Sequence, residues 1–119
     1  MDIHKIILEN LTSGIISFNE NGIILYLNPM ASKILHLKNS DISGKSYKDV
    51  FYIYPSLCEL IEDIIKNDKI IRRGELMITH SIIELKIGYS SMIIKAENFK
   101  GYTIIFQDLS IIEKKWKKL

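Results

Sequence analysis

The sequence predicts a single α+β domain, in which helices cover one face of an antiparallel sheet. Strand-like segments near both ends of the chain are joined by turn signals, and two proline-led helices lie between them. The length of 119 residues fits one domain, and the 47% apolar content can form a core without disulfides or metals. We therefore treat residues 1–119 as one folding unit.

The N-terminal part predicts a helix followed by a β-hairpin. Residues 2–11 repeat isoleucine at helical spacing after a capping aspartate, which indicates a short amphipathic helix. Residues 15–18 and 23–27 have the composition of strands, and an Asn-Gly turn over 19–22 joins them as a hairpin. Both strands are apolar on both faces, so the N-terminal helix, a partner subunit or both must cover the second face.

The middle of the chain predicts two helices with a turn-rich segment between them. Asn28-Pro29 supplies a capping residue and a proline at the first helical position, and that helix should run to about Leu37. Residues 38–49 predict one or two single-turn helices. Pro55 begins the second helix, whose apolar stripe ends near Asn67.

The C-terminal part predicts three strands and a final helix. Strands are expected over 69–79, 82–94 and 102–107, with a polar turn over 97–101. The final helix begins with a Ser-x-x-Glu capping box at Ser110. Apolar residues then recur at spacings of 3, 4 and 3, as at the start of a coiled-coil seam: Leu109, Ile112, Trp116 and Leu119. The alternative is a helix that packs on its own domain.

Four segments of the chain resemble signatures of one family, the PAS domains. Residues 8–16 resemble the opening of many bacterial PAS domains, and residues 21–31 resemble the family's d-G-x-I-x-x-x-N-x-A signature. Residues 41–45 resemble its e-x-x-G-k turn, and residues 101–110 resemble its glycine-led ending, which closes here with Asp-Leu-Ser. The four segments occur in the family's order and span nearly the whole chain.

The resemblance implies a five-stranded antiparallel sheet in the order 2-1-5-4-3, and a cavity between the sheet and the helices. It divides the chain into an N-terminal flanking helix (1–12), a PAS core (13–107) and the start of a C-terminal signalling helix (108–119). It also implies a homodimer formed by the flanking helices, with contacts expected from Ile3, Ile7, Leu109, Ile112, Trp116 and Leu119.

The function that the resemblance implies is a non-enzymatic sensory and dimerisation module, which passes a conformational change through its C-terminal helix to an effector domain in the same chain. The version seen here is most similar to the PAS domains of sensor histidine kinases. Alternatives are a PAS module of a transcription activator or of a cyclic-dinucleotide enzyme, and a ligand-free structural dimerisation domain.

The residues argue against catalysis, metal binding and a bound cofactor. His4, His36 and His80 lie in different predicted elements, no catalytic motif occurs, and the single Cys58 can form neither a disulfide nor a cysteine-based metal cluster. Haem-binding relatives commonly place a histidine on the long helix, and the corresponding helix from Pro55 has none. Flavin photoreceptor relatives use an Asn-Cys-Arg-Phe motif, from which the sequence around Cys58 departs.

Charge and hydropathy also argue against nucleic acid and membrane as partners. The formal net charge is +2, and lysines are dense only over residues 114–118, where they fit a solvated helix end. Apolar runs do not exceed five residues, whereas a membrane span takes about 20. We expect a cytoplasmic domain, with any membrane anchor of a parent protein lying outside this chain.

An inward-facing apolar set is expected to line the interior: Ile16, Phe18, Ile34, Leu35, Leu60, Ile61, Ile64, Met77, Ile87, Tyr89, Ile104 and Phe106. Such a set suits either a fully packed core or a cavity for a small apolar or amphipathic ligand. In the second case the polar contacts would come from Ser17, Ser90, Ser91 and Gln107.

By the same resemblance, Asp108 lies where the last strand meets the output helix. Its carboxylate is expected to anchor that junction through hydrogen bonds or an ion pair, and Ser110 and Glu113 are expected to begin the helix. A plain helix cap is the alternative interpretation.

Overall fold

The computed structural model describes residues 2–9, 11–37, 42–80 and 83–110. Five strands form one antiparallel sheet in the order β2-β1-β5-β4-β3, which confirms the predicted class and strand order. The elements in chain order are α1 (Ile3–Glu9), β1 (Gly14–Asn19), β2 (Ile24–Leu27), α2 (Pro29–Ile34), α3 (Tyr47–Val50), α4 (Pro55–Asn67), β3 (Gly74–His80), β4 (Ile83–Ala96) and β5 (Phe99–Asp108).

Two strand boundaries differ from the prediction by more than two residues. Strand β3 begins at Gly74 and not at residue 69, because Ser91 of β4 holds the preceding segment with its side chain. The Ser91 hydroxyl accepts from Ile71 N at 2.9 Å and donates to Lys69 O at 2.9 Å. Strand β5 begins at Phe99, so the predicted five-residue turn shrinks to residues 97–98.

The core lies between the inner face of the sheet and helices α2 and α4. The apolar stripe of α4 is buried as predicted, and the largest fully buried side chains come from both the sheet and the helices. Each such side chain contributes about 1.5–3 kcal/mol when it leaves water. These side chains are Tyr102, Phe18, Phe51, Phe106, Ile16, Ile24, Leu35, Leu57, Ile61, Ile64, Ile78 and Ile87.

Two aromatic rings on the inner face lie over glycines of the neighbouring strand. Phe106 pairs with Gly14, and Tyr89 pairs with Gly74. A Cβ atom on either glycine would overlap with the facing ring. The two ring-over-glycine pairs therefore fit together only in the observed register of the strands.

Helix α1 exposes three apolar side chains to solvent: Ile3, Ile6 and Ile7. Asp2 caps it by accepting from His4 N at 3.0 Å, yet Ile3 and Ile7 are 54% and 52% exposed. The outer face of the sheet also exposes apolar side chains, with Met92 41% exposed. Within one chain, α1 does not bury its apolar stripe. No helix in the described part of the chain has the length and hydropathy of a membrane span.

Candidate functional site

The predicted inward-facing set is largely assembled around one core. Ten of the twelve residues are buried in one cluster, and Tyr89 packs against it. Met77 is a correction: it is 49% exposed and pairs with Lys86, whereas the adjacent Ile78 is buried and pairs with Leu85. The continuous apolar run at this point of β3 has no alternation that would fix which residues face inward.

The predicted polar contacts of a ligand do not converge on the interior. The Ser17 hydroxyl lies on the outer face and hydrogen-bonds the Thr103 hydroxyl at 2.8 Å. Gln107 is exposed and donates to Ser13 Oγ at 3.2 Å. Ser91 is buried, but its hydroxyl is used by the segment before β3. The Ser17 and Ser91 hydroxyls therefore contribute to the structure of the sheet, whereas Ser90 and Gln107 both line one surface concavity.

Two concavities open to solvent, and residues of α2 line neither of them. The larger, of about 550 Å³, lies over the end of the sheet where β5 leaves it, and its lining includes Arg73, Gly88 and Leu109. The smaller, of about 450 Å³, lies beside the β1–β2 turn and includes Tyr47 and Glu62. Both concavities are therefore open surface features, and the smaller is bounded by α3, α4 and the β1–β2 turn.

The one cysteine lies in a sheltered position on α4. Cys58 Sγ donates to Phe51 O at 3.2 Å, and burial raises the pKa of the thiol. A raised pKa keeps the thiol in its protonated, weakly nucleophilic form. Within the described ranges, no three His, Cys, Asp or Glu side chains converge as metal ligands would.

The exit junction, which we define as Asp108, Leu109 and Ser110, is the most specific arrangement of predicted site residues. The Asp108 carboxylate accepts from Ser110 N at 2.9 Å, and the Ser110 hydroxyl accepts from Lys86 N at 3.4 Å. Asp108 is the last residue of β5, and the chain turns helical at residues 109–110. One carboxylate thus joins the end of the strand to the start of the helix.

The start of the predicted output helix is described only in part. The carboxylate of Asp108 accepts from its first turn, and the Ser110 hydroxyl accepts from Lys86 N of β4. The predicted capping box of Ser110 and Glu113 stays a prediction. Other predicted members of the output helix lie outside the described residues: Ile112, Glu113, Trp116 and Leu119. The predicted contribution of Glu113 therefore stays a prediction.

Asn28 has a wider structural role than the sequence indicated. Its side chain is fully buried, caps α2 by accepting from Ala31 N at 2.9 Å, and also accepts from Ile15 N at 2.8 Å. Its amide nitrogen donates to Ser13 O at 2.9 Å. One side chain therefore ties the start of β1 to the start of α2. The cap was visible in the sequence, but the bonds to β1 depend on tertiary structure.

A second polar group, the Asp68 cluster of Asp68, Lys100 and Tyr102, joins the end of α4 to β5. Lys100 Nζ lies 2.7 Å from Asp68 Oδ2, and the Tyr102 hydroxyl donates to the other oxygen of that carboxylate. The bonds from Lys100 and Tyr102 lower the pKa of Asp68. Burial, followed by the bond to Asp68, raises the pKa of Tyr102. This cluster lies at the opposite end of β5 from the exit junction.

Comparison with solved structures shows the same fold in several proteins. The *Escherichia coli* DhaR(N)–DhaL complex matches with a TM-score of 0.71 and 15% identity, over 88% of this chain and 34% of that chain. The present chain thus spans about a third of that DhaR-complex chain. The PAS domain of *Bordetella pertussis* BvgS matches with a TM-score of 0.68 and 11% identity, over 98% and 96% of the two chains.

A third match, the PAS domain of nitrogen regulation protein NR(II) from *Vibrio parahaemolyticus*, has a TM-score of 0.63 and 12% identity, over 91% and 99% of the two chains. Identities at this level show the fold alone. No match was found among curated protein sequences. The family model described as PAS fold matches residues 5–109, which is most of the chain. On this match, together with the observed sheet order, the chain belongs to the PAS family of sensory domains.

Proposed function

We propose that this PAS domain is the input and dimerisation module of a signal-transduction protein, and that its output leaves through the helix that follows β5. The observation that supports this best is the exit junction. There, the carboxylate of Asp108 belongs to the last strand and binds the first turn of the following helix. A change in the twist of β5 would therefore reach the helix through this carboxylate as well as through the main chain.

The test is Asp108→Ala in the full-length parent protein. We expect a folded protein whose output no longer responds to the input, because the strand and the helix lose their shared hydrogen bond. Asp63→Ala is the matched control. Asp63 is a surface aspartate of α4, and its carboxylate lies 2.7 Å from Lys69 Nζ. A normal response in the Asp108 variant would refute the coupling role.

The parent is proposed to be a sensor histidine kinase. Solved structures that resemble this chain include a PAS domain from a two-component sensor histidine kinase, at 8% identity, and the sensor region of another. The measurement is autophosphorylation of the purified full-length parent with ATP. Activity that places the phosphate on a histidine would support this parent class. A DNA-binding or cyclic-dinucleotide-forming activity would replace it with one of the alternatives.

Homodimerisation through the flanking helices is part of the proposal. It is supported by Ile3 and Ile7 of α1, which are 54% and 52% exposed in the single chain. We expect sedimentation equilibrium to report a dimer, and Ile7→Glu to weaken it at least about tenfold. Ile70→Glu is the matched control, because Ile70 is 65% exposed in the connection between α4 and β3 and not on a flanking helix. A wild-type monomer at high concentration would remove this part of the proposal.

A ligand-free dimerisation domain is the second candidate, and the packed interior favours it. Side chains of the predicted cavity set such as Ile16, Phe18 and Ile104 are fully buried against one another and against the helices. Native mass spectrometry before and after denaturing extraction separates the candidates. An extractable small apolar molecule supports the ligand-bound module. An absorbance band beyond those of Trp and Tyr would instead indicate haem or flavin.

A further inference from the structure

Leu109 of the exit junction folds back over a strand position that carries no side chain. If Gly88 of β4 had a Cβ atom, it would stand 3.2–3.4 Å from three side-chain carbons of Leu109. Contacts that short are tighter than ordinary packing, so a methyl group at this position would push the leucine side chain back by a few tenths of an ångström, and a larger side chain would push it further. Gly88 pairs with Gln107, which lies two residues before Leu109. The contact therefore links β4 to the residue that directly follows β5.

The backbone of Gly88 does not itself require glycine. Gly88 lies in regular antiparallel pairing with both Glu75 and Gln107, and the positive φ angles of the described glycines belong to Gly22 and Gly44. A glycine inside a strand is otherwise unfavourable, because it loses more conformational entropy and packs nothing. What Gly88 offers locally is space, and Leu109 occupies that space.

The polar contacts of the junction depend on the same placement. Ile87 pairs with Asp108, so the ladder between β4 and β5 ends beside Gly88. Beyond this point Lys86 N donates to Ser110 Oγ at 3.4 Å. The Ser110 side chain therefore continues the ladder by one bond after the main chain has turned away, and it can do so only while Leu109 lies against the sheet.

We infer that Gly88 is a positioning residue for the output helix, because it provides a side-chain-free seat in which Leu109 fixes the direction in which the chain leaves β5. This inference rests on the proposed function in one respect, namely that output leaves through the exit junction. It adds that the direction of exit is set by a residue of β4, a strand away from the junction itself.

The test is hydrogen exchange at the amides of Lys86 and Ser110 in the 119-residue chain, with a double-mutant cycle. Gly88→Val should speed exchange at both amides by about fivefold or more, because the displaced Leu109 carries Ser110 away from β4. Leu109→Ala should do the same. In the double variant the two effects should not multiply, since either change alone already removes the contact between Leu109 and the seat.

Ser90→Val is the matched control. Ser90 is the next outward-facing residue of β4 and pairs with Ile105, so it adds the same side chain to the same strand away from the ladder's end. It should leave both amides unchanged, and the amide of Ile104 in the core should be unchanged in every variant. If Gly88→Val prevents folding, Gly88→Ala with Leu109→Ala makes the same comparison, with a smaller increase of the same sign.

Unchanged exchange at Lys86 and Ser110 in a folded Gly88 variant would overturn the inference, and so would effects that multiply in the double variant. This outcome is distinct from failure of the proposed function. A normal signalling response of Asp108→Ala would remove the function of the junction but leave the seat of Leu109 intact.

Discussion

Strand β5 is held in two different ways at its two ends. Near its start, Tyr102 is 2% exposed, stacks on Phe18 with ring centroids 5.8 Å apart, and bonds to the carboxylate of Asp68. At its end, the exit junction is held by one carboxylate, one hydroxyl and one leucine seated over Gly88. The difference teaches that this strand is firmly anchored to the core near its start and lightly held at the junction through which we propose that output leaves.

The largest expected effect is at the anchored end. Tyr102→Ala should lower the free energy of unfolding by about 3–5 kcal/mol, because it removes a buried ring and the stacking of that ring on Phe18. Gln107→Ala, an exposed change near the other end of β5, should lower it by less than about 0.5 kcal/mol. Urea unfolding of both variants measures this, and equal losses would contradict the contrast between the two ends.

Tyr102→Phe separates the hydroxyl from the ring. It keeps the stacking on Phe18 and removes the bond to Asp68, so the expected loss is about 1 kcal/mol by urea unfolding. The Lys100–Asp68 pair is left in place as an internal reference. A loss as large as that of Tyr102→Ala would mean that the anchor depends on the hydrogen bond and not on the buried ring.

Asp108→Ala tests the lightly held end. Loss of one capping bond should lower the free energy of global unfolding by about 0.5–2 kcal/mol, which is well below the loss expected for Tyr102→Ala. Exchange of the Ser110 amide should rise while the amides at the start of β5 keep their protection, which nuclear magnetic resonance can read residue by residue. A loss comparable to that of Tyr102→Ala would place a second anchor at the exit.

The smallest expected effect is a pH dependence from Asp68. Because its pKa is lowered in the folded state, its stabilising contribution is present above the ordinary aspartate value of about 3.9 and is lost as pH falls through the lower folded value. Asp68→Asn tolerates the left-handed backbone at this position (φ 49°) but does not titrate. The melting temperature of the wild type should therefore fall more steeply below about pH 4 than that of the variant. Parallel curves would show that the carboxylate does not matter to the anchor.

Local chemistry made several elements predictable from sequence. The caps at Asn28 and Pro29, the proline that opens α4 and the Asn-Gly turn each act within a few residues, so their positions follow from short-range rules. Strand order was available only from the resemblance to a family. A contact such as Ser17–Thr103 joins residues 86 apart, and no local rule pairs them.

The candidate site was predicted less completely, for physical reasons that differ from residue to residue. Asp108 and Ser110 are both capping residues, and only the position of Lys86 on β4 decides that the hydroxyl bonds to the sheet. The seat at Gly88 was not predicted, because a glycine has no side chain that would indicate a contact. Met77 was wrongly predicted to face inward, because its neighbours in the chain are also apolar and the pattern does not show which residues face the core.

The rings that lie over Gly14 and Gly74 limit how the sheet can move. If β5 slid by two residues along β1, the Phe106 ring would face Ile16 or Thr12 in place of glycine. If β4 slid by two residues along β3, the Tyr89 ring would likewise no longer face Gly74. A slip of one residue would turn every buried side chain of the strand outward. The register of the sheet is thus fixed, so the signal that we propose would be carried by twist or bending of β5 and not by its translation.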